Sequence, residues 1–150
     1  MTSPTLLSLA GRVESLTGRD RNIANDVLYA CGWTTHEIGE GDNRTTIWTA
    51  PRGEEFTDGD QPDPTASLDA AMTLVPEGWG WSVGDVHGPL EAYSGSSVPW
   101  AEIWTRDDRD VQIPDMNWDG CRNHLNAATP ALALTAASLR ARSALEASHG

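Results

Sequence analysis

A chain of 150 residues is most simply one domain, residues 1–150, long enough to bury roughly two thirds of the surface its unfolded form exposes without a metal or disulfide staple. Its 22 acidic residues face 10 basic ones, all of them arginine, for a net charge of −12. That balance speaks against direct nucleic-acid binding, whose affinity comes from clustered basic side chains that displace counterions. No stretch approaches the roughly 18 apolar residues of a membrane span, and the opening "MTSPTLLSLAGRVESLTG" has no basic region followed by a long apolar one. A soluble, unexported protein with no membrane partner is expected. Cys31 and Cys121 have no metal-ligand spacing, which suits small buried thiols and a reducing compartment.

In chain order, Ser3 and Pro4 signal a cap and first turn, and Leu6, Leu9, Ala10 and Val13 trace a helix over residues 4–17 that Gly18 can close. Asp20 caps a second helix, 20–31, with Ile23, Ala24, Val27, Leu28 and Cys31 on its apolar face and Gly32 at its end. "GWTTHEIGEGDNRTTIWTAPRG" then reads as a strand hairpin around Gly-Asp-Asn, Thr46 to Ala50 being the better strand. Phe56 to Pro64 reads as an acidic surface loop. "TASLDAAMTLVPEGWGW" gives a third helix, 67–75, capped by Ser67, with Leu68, Ala71, Met72 and Val75 on one face, ended by Pro76 and Gly78. Strands follow at 79–87 and 101–105, and "GPLEAYSGSSVP" between them can hold another. Residues 106–128 are a long, polar, insertion-like loop of the kind that faces a partner. Thr129 and Pro130 open the last helix, 130–146, where Arg140 and Arg142 lie toward the negative end. The expected fold class is α+β: a compact sandwich in which a mainly antiparallel sheet of three to five strands is covered by about four helices.

"LLSLAGRVESLTGRDRNIANDVLYACG", "TASLDAAMTLVPEGWGW" and "AATPALALTAASLRARSALEA", in that order and spacing, resemble a group of small proteins of tailed bacteriophages and prophages, the phage α-β-α sandwich domain proteins. The resemblance extends over the chain except residues 34–63 and 106–126, and "SLDAAMTLVPEGW" with "ATPALAL" is its most specific part. It implies a sheet between helical layers and brings no catalytic residues with it. This chain departs from the group in its acidic, tryptophan-containing segment before the last helix.

The patterns that would carry chemistry are incomplete. "DMNWDG" places Asp115, Asn117 and Asp119 as in a calcium loop, but the position of the closing bidentate carboxylate falls on Asn126, so an Asx-rich turn is expected. His36, His87, His124 and His149 are scattered, and Cys121 and His124 lack an orienting third group. No catalytic residue, metal or cofactor is assigned. Seven tryptophans remain to be explained. Period-two spacing puts Trp79 with Trp81 and Trp100 with Trp104, which a sheet packed on helices would absorb. Trp118 stands apart in the polar loop, and with Arg106, Arg109, Arg122 and His124 it forms the candidate ligand site, the ring for a base and the guanidinium groups for phosphate. The functional expectation is a non-enzymatic phage accessory protein in the cytoplasm of the infected cell, countering host defence by sequestering a small nucleotide-like ligand, for instance inside a homo-oligomer. The alternative is an acidic inhibitor that docks on a basic host protein in place of nucleic acid.

Overall fold

Helices in this chain start where a side-chain oxygen can accept an N–H that has no carbonyl partner. The hydroxyl of Thr5 accepts from Ser8 N at 3.1 Å, Asp20 Oδ1 from Ile23 N at 3.1 Å, Ser67 Oγ from Ala70 N at 3.2 Å and Thr129 Oγ1 from Leu132 N at 3.1 Å. The computed structural model describes residues 5–84, 99–105, 112–113, 116–118 and 122–149. Among them the helices are α1 (Leu6–Glu14), α2 (Arg21–Ala30), α3 (Leu68–Met72) and α4 (Pro130–His149). The strands are β1 (Thr34–Ile38), β2 (Thr45–Thr49), β3 (Glu55–Thr57), β4 (Trp79–Gly84), β5 (Trp100–Thr105), β6 (Asn117–Trp118) and β7 (Asn123–Asn126). Three of the caps are those expected from the sequence. The first is Thr5, whereas Ser3 and Pro4 lie outside the described residues.

The strands form two antiparallel sheets, so the architecture is α+β with helices packed on sheets. One is the meander β1-β2-β3, paired from Thr34 with Thr49 to Ile38 with Thr45, and from Ile47 with Thr57 to Thr49 with Glu55. The other has the order β4-β5-β7-β6, with Trp79 opposite Thr105, Ile103 opposite Asn123 and Trp118 opposite Asn123. Two strands of the second sheet come from the segment read as a loop at 106–128. Likewise Glu55–Thr57 of the expected acidic loop completes the meander, and Gln61 and Asp63 beyond it are buried, at 4% and 8% exposure. Gln61 Nε2 donates to Asn25 Oδ1 at 3.2 Å, and Asp63 Oδ1 accepts from Thr65 N at 2.9 Å, while Asp63 Oδ2 has no hydrogen-bond partner among the described residues and is compensated by the charge of Arg19, whose Nε lies 3.1 Å away. Burial without such partners would be costly. The expected strand within 85–98 lies outside the described residues.

α4 organises the larger core. Every residue from Ala131 to Leu139 is buried, so this helix is enclosed on all sides and does not show one apolar stripe. It packs on β4, β5 and β7, and also touches α1 and α3. Its alanines let neighbours approach closely, while Leu132, Leu134 and Leu139 fill the space between. Arg140 meets Glu14 of α1 at 2.6 Å, and Arg142 Nε donates to Leu74 O at 2.8 Å. Both arginines therefore tie α4 sideways to its neighbours, and with the helix continuing to His149 they are not at its negative end. On α3 the buried side chains are Ala70 and Ala71, joined by Leu74 just beyond it, while Met72, expected on the apolar face, is exposed.

A smaller cluster, Leu28, Trp33, Trp48 and Ala50 with Phe56 against it, holds the meander. α2 serves both clusters, since Val27 belongs to the larger and Leu28 to the smaller. α2 ends in a Schellman arrangement in which Trp33 N bonds to Leu28 O at 3.0 Å and Gly32 N to Tyr29 O at 3.2 Å, with Gly32 at φ +98°. The left-handed residue turns the chain from the helix into β1.

Because α4 is packed on all sides, Leu134→Ala leaves a cavity that cannot collapse and costs about 2–5 kcal/mol, whereas Leu7→Ala on the exposed side of α1 stays within about 0.5 kcal/mol. Urea denaturation of the two variants reads the difference.

Candidate functional site

Strand alternation sorts the residues proposed from the sequence. On β5, Ala101 and Ile103 are fully buried, so Trp100, Glu102 and Trp104 face the other way. On that side they stand opposite Gly84, Ser82 and Gly80 of β4, while Asn126 and His124 of β7 pair with Trp100 and Glu102. The glycines make room for the indoles: a Cβ on Gly80 would lie 2.5 Å from the Trp104 ring, and one on Gly84 2.7 Å from the Trp100 ring. Thus Trp79 is in the larger core and Trp81 packs against it, but Trp100 and Trp104 lie on the opposite face.

Glu102 draws the charged residues of this face together. Its Oε2 lies 2.9 Å from Arg122 Nη1 and 3.4 Å from Ser82 Oγ, and its Oε1 is 3.9 Å from His124 Nδ1. The Arg122 guanidinium also sits 4.1 Å from the centre of the Trp104 ring, and the His124 ring stacks on Trp100 with centres 6.0 Å apart. Arg122 and His124 therefore both face Glu102, and both are engaged with the sheet's own side chains. Trp118 pairs with Asn123, one residue out of phase with His124, which directs it to the other face. There Asn123 is fully buried and braces the preceding segment, accepting from Ile113 N at 2.6 Å and donating to Ile103 O at 3.2 Å. Arg106 and Arg109 lie outside the described residues, as do Asp115, Asp119 and Cys121. Asn117 and Trp118, the middle of the calcium-like pattern, are in β6. Among the described residues no three carboxylate, histidine or cysteine side chains gather as a metal set, and no helix is long and apolar enough to cross a membrane.

A hollow of ligand size lies elsewhere. A partly open cleft of about 490 Å³ lies at the seam of the two hydrophobic clusters, between the meander, the chain following α3, and Arg142 of α4. Trp33 and Phe56 line it from the meander side with ring centres 5.6 Å apart. Arg142 borders it from the helix side. Its Nε is held by Leu74 O, and its remaining N–H groups have no protein partner among the described residues. Arg52 is exposed on the turn between β2 and β3, and Glu54 and Glu77 are exposed carboxylates of the lining. Cys31 is at the end of α2. Burial pushes its thiol above the ordinary value, and the charge of Arg142 pulls part of the way back. This wall of short, separated pieces has no local motif. Its one sequence signal is the run Cys31-Gly32-Trp33, in which a helix-ending glycine divides two buried side chains.

Compared with known proteins, the chain matches no family model, no curated protein and no solved structure.

Two outcomes check these placements. Gly80→Ala drives a methyl group into the Trp104 indole and destabilises by about 1–3 kcal/mol, and Trp104→Ala in the same chain recovers part of the loss; thermal melts of the two single variants and the double variant show the coupling. With Cys121→Ser leaving one thiol, Cys31 stays protonated and enclosed at pH 8 and reacts with iodoacetamide about tenfold or more slowly than in the urea-unfolded chain, as alkylation timed by mass spectrometry would reveal.

Proposed function

We propose that the protein works by binding and not by turnover, as a phage accessory protein that sequesters a small nucleotide-like ligand, and that the ligand occupies the seam cleft. The observation that carries this reading is the pairing of aromatic lining with a guanidinium in one hollow: Trp33 and Phe56 on one wall, Arg142 on the other. At about 490 Å³ the cleft is within the range of roughly 300–1,000 Å³ common for small-molecule sites. Rings supply stacking surface for a planar base, and a guanidinium offers a fork of donors to a phosphate or carboxylate. The Glu102 cluster is the weaker candidate because Arg122 already spends its charge on Glu102 and its flat face on Trp104.

A second reading, docking on a basic host protein, draws on the meander. Glu37, Glu40, Asp42, Glu54, Glu55, Asp58 and Asp60 are all exposed there, against only Arg44 and Arg52. Association of that kind weakens steeply with salt, whereas stacking in the cleft is little screened.

The test is mass spectrometry of small molecules released by heat from protein purified out of infected cells. An intact ligand that is retained at 0.5 M salt and lost from Arg142→Ala but not from Arg44→Ala is the expected result. Release of a chemically converted product would overturn sequestration, and a salt-labile protein partner with no ligand would favour the second reading.

A further inference from the structure

The charge arrangement of the cleft narrows what it can hold, an inference that rests on the cleft being the ligand site. Among the described residues one cation is fixed there. Arg142 projects from α4 just past its enclosed stretch, and its Nε bond to Leu74 O sets the plane of the guanidinium while leaving the Nη groups for a ligand. A guanidinium held in this way can meet one anionic group through two parallel bonds. Arg52, on an exposed turn, brings a mobile-length side chain that is fully solvated, so its attraction is screened. Against these two positive charges the lining sets two negative ones, Glu54 and Glu77. The field of the whole molecule, with 22 acids to 10 arginines, adds further repulsion toward anions. Each negative charge beyond the first would therefore enter a site with no fixed donor left to receive it and with carboxylates nearby. The opposite wall is apolar and aromatic: Trp33 and Phe56 form a tilted pair, with Ala50, Leu74 and Val75 completing the surface.

We propose that the cleft selects molecules that combine one planar ring system with a single negative charge, a cyclic nucleotide phosphodiester or an aromatic carboxylate, and discriminates against nucleoside polyphosphates. The ring occupies the space beside Trp33 and Phe56, and the anionic group takes the Arg142 fork. Neutral nucleosides lose the charge-assisted bonds, and polyphosphates meet Glu54 and Glu77.

Cys31 borders the same cleft, so its rate of alkylation reports on occupancy. In the Cys121→Ser background, iodoacetamide alkylation of Cys31 is timed with and without each of four probes: 3′,5′-cyclic AMP, indole-3-carboxylate, adenosine and metal-free ATP. Protection by cyclic AMP identifies the phosphodiester source and protection by indole-3-carboxylate the carboxylate source. Half-protection by either should need roughly 10- to 150-fold less probe than with adenosine, the range set by hydrogen bonds to a charged group. Arg142→Ala should abolish that advantage, Arg142→Lys should restore part of it, and Arg44→Ala should leave it intact. Each variant is compared with its own probe-free rate, because removing the Arg142 charge by itself alters the thiol, and a cooperative thermal melt certifies that each variant is folded. Protection by ATP equal to or better than that of the singly charged probes would overturn the charge limit while leaving the cleft as the ligand site. Failure of all four probes to protect at millimolar concentration would overturn both.

Discussion

The enclosure of α4 is the constraint on which the rest of the molecule depends. A helix buried all round must find partners on every side, and here the four-stranded sheet lies on one side with α1 and α3 on the other. Small residues make that possible. With alanine at 131, 133, 136, 137 and 141, neighbouring backbones come close enough for the intervening leucines to fill the gaps, and the two polar residues in the stretch are handled individually. Thr135 Oγ1 donates to Pro64 O at 2.9 Å, which secures the segment entering α3. Ser138 Oγ has no partner among the described residues. Arg140 and Arg142 then leave the helix where enclosure ends, one fastening α1 and the other fixing the turn after α3 and bordering the cleft. The position of the candidate site is thus a by-product of where α4 ceases to be covered.

How much of this is legible in the sequence depends on how far apart the interacting residues are. Asp20, Ser67 and Thr129 were recognisable as caps because each bonds to an N–H three residues away. The hairpin about Gly-Asp-Asn was recognisable for the same reason, with its turn residues Gly41–Asn43 between β1 and β2. Alternation groups Trp100 with Trp104 but does not say which face is inward, and the choice falls to Ala101 and Ile103, the smaller pair. A signal did exist: Gly80 and Gly84 have the same spacing of four, and glycines so placed leave room for large rings on a neighbouring strand. Gln61 and Asp63 look like surface residues because their partners, Asn25, Arg19 and Arg21, are some forty positions earlier.

The cleft illustrates the limit more sharply. Its walls come from residues 31–33, 50–56, 62, 72–77 and 142, and no two of these stretches form a pattern on their own. Sequence reasoning sought a site where unusual residues were concentrated, in the loop with Trp118, Arg122 and His124. Folding instead used Arg122 and His124 to cover the outer side of a sheet and sent Trp118 to the other side. An aromatic ring near arginines in sequence implies a ligand only if the arginines are not consumed by nearer acids, and Glu102, twenty residues upstream, consumes one of them.

The two-cluster construction bears on the order in which the molecule assembles. β1, β2 and β3 are consecutive, so the meander closes its ladders over short loops, whereas the second sheet must join β5 to β7 and receive α4 from the far end of the described chain. Contacts between residues distant along the chain cost more loop-closure entropy and form more slowly. Arg142 reaches the wall formed by Trp33 and Phe56 only when α4 is docked, so the cleft is complete only in the assembled molecule. A ligand held there has nothing to grip in the early stages of folding. Its stabilisation falls almost wholly on the finished state, lengthening the lifetime of the native molecule while leaving the speed of its formation unchanged.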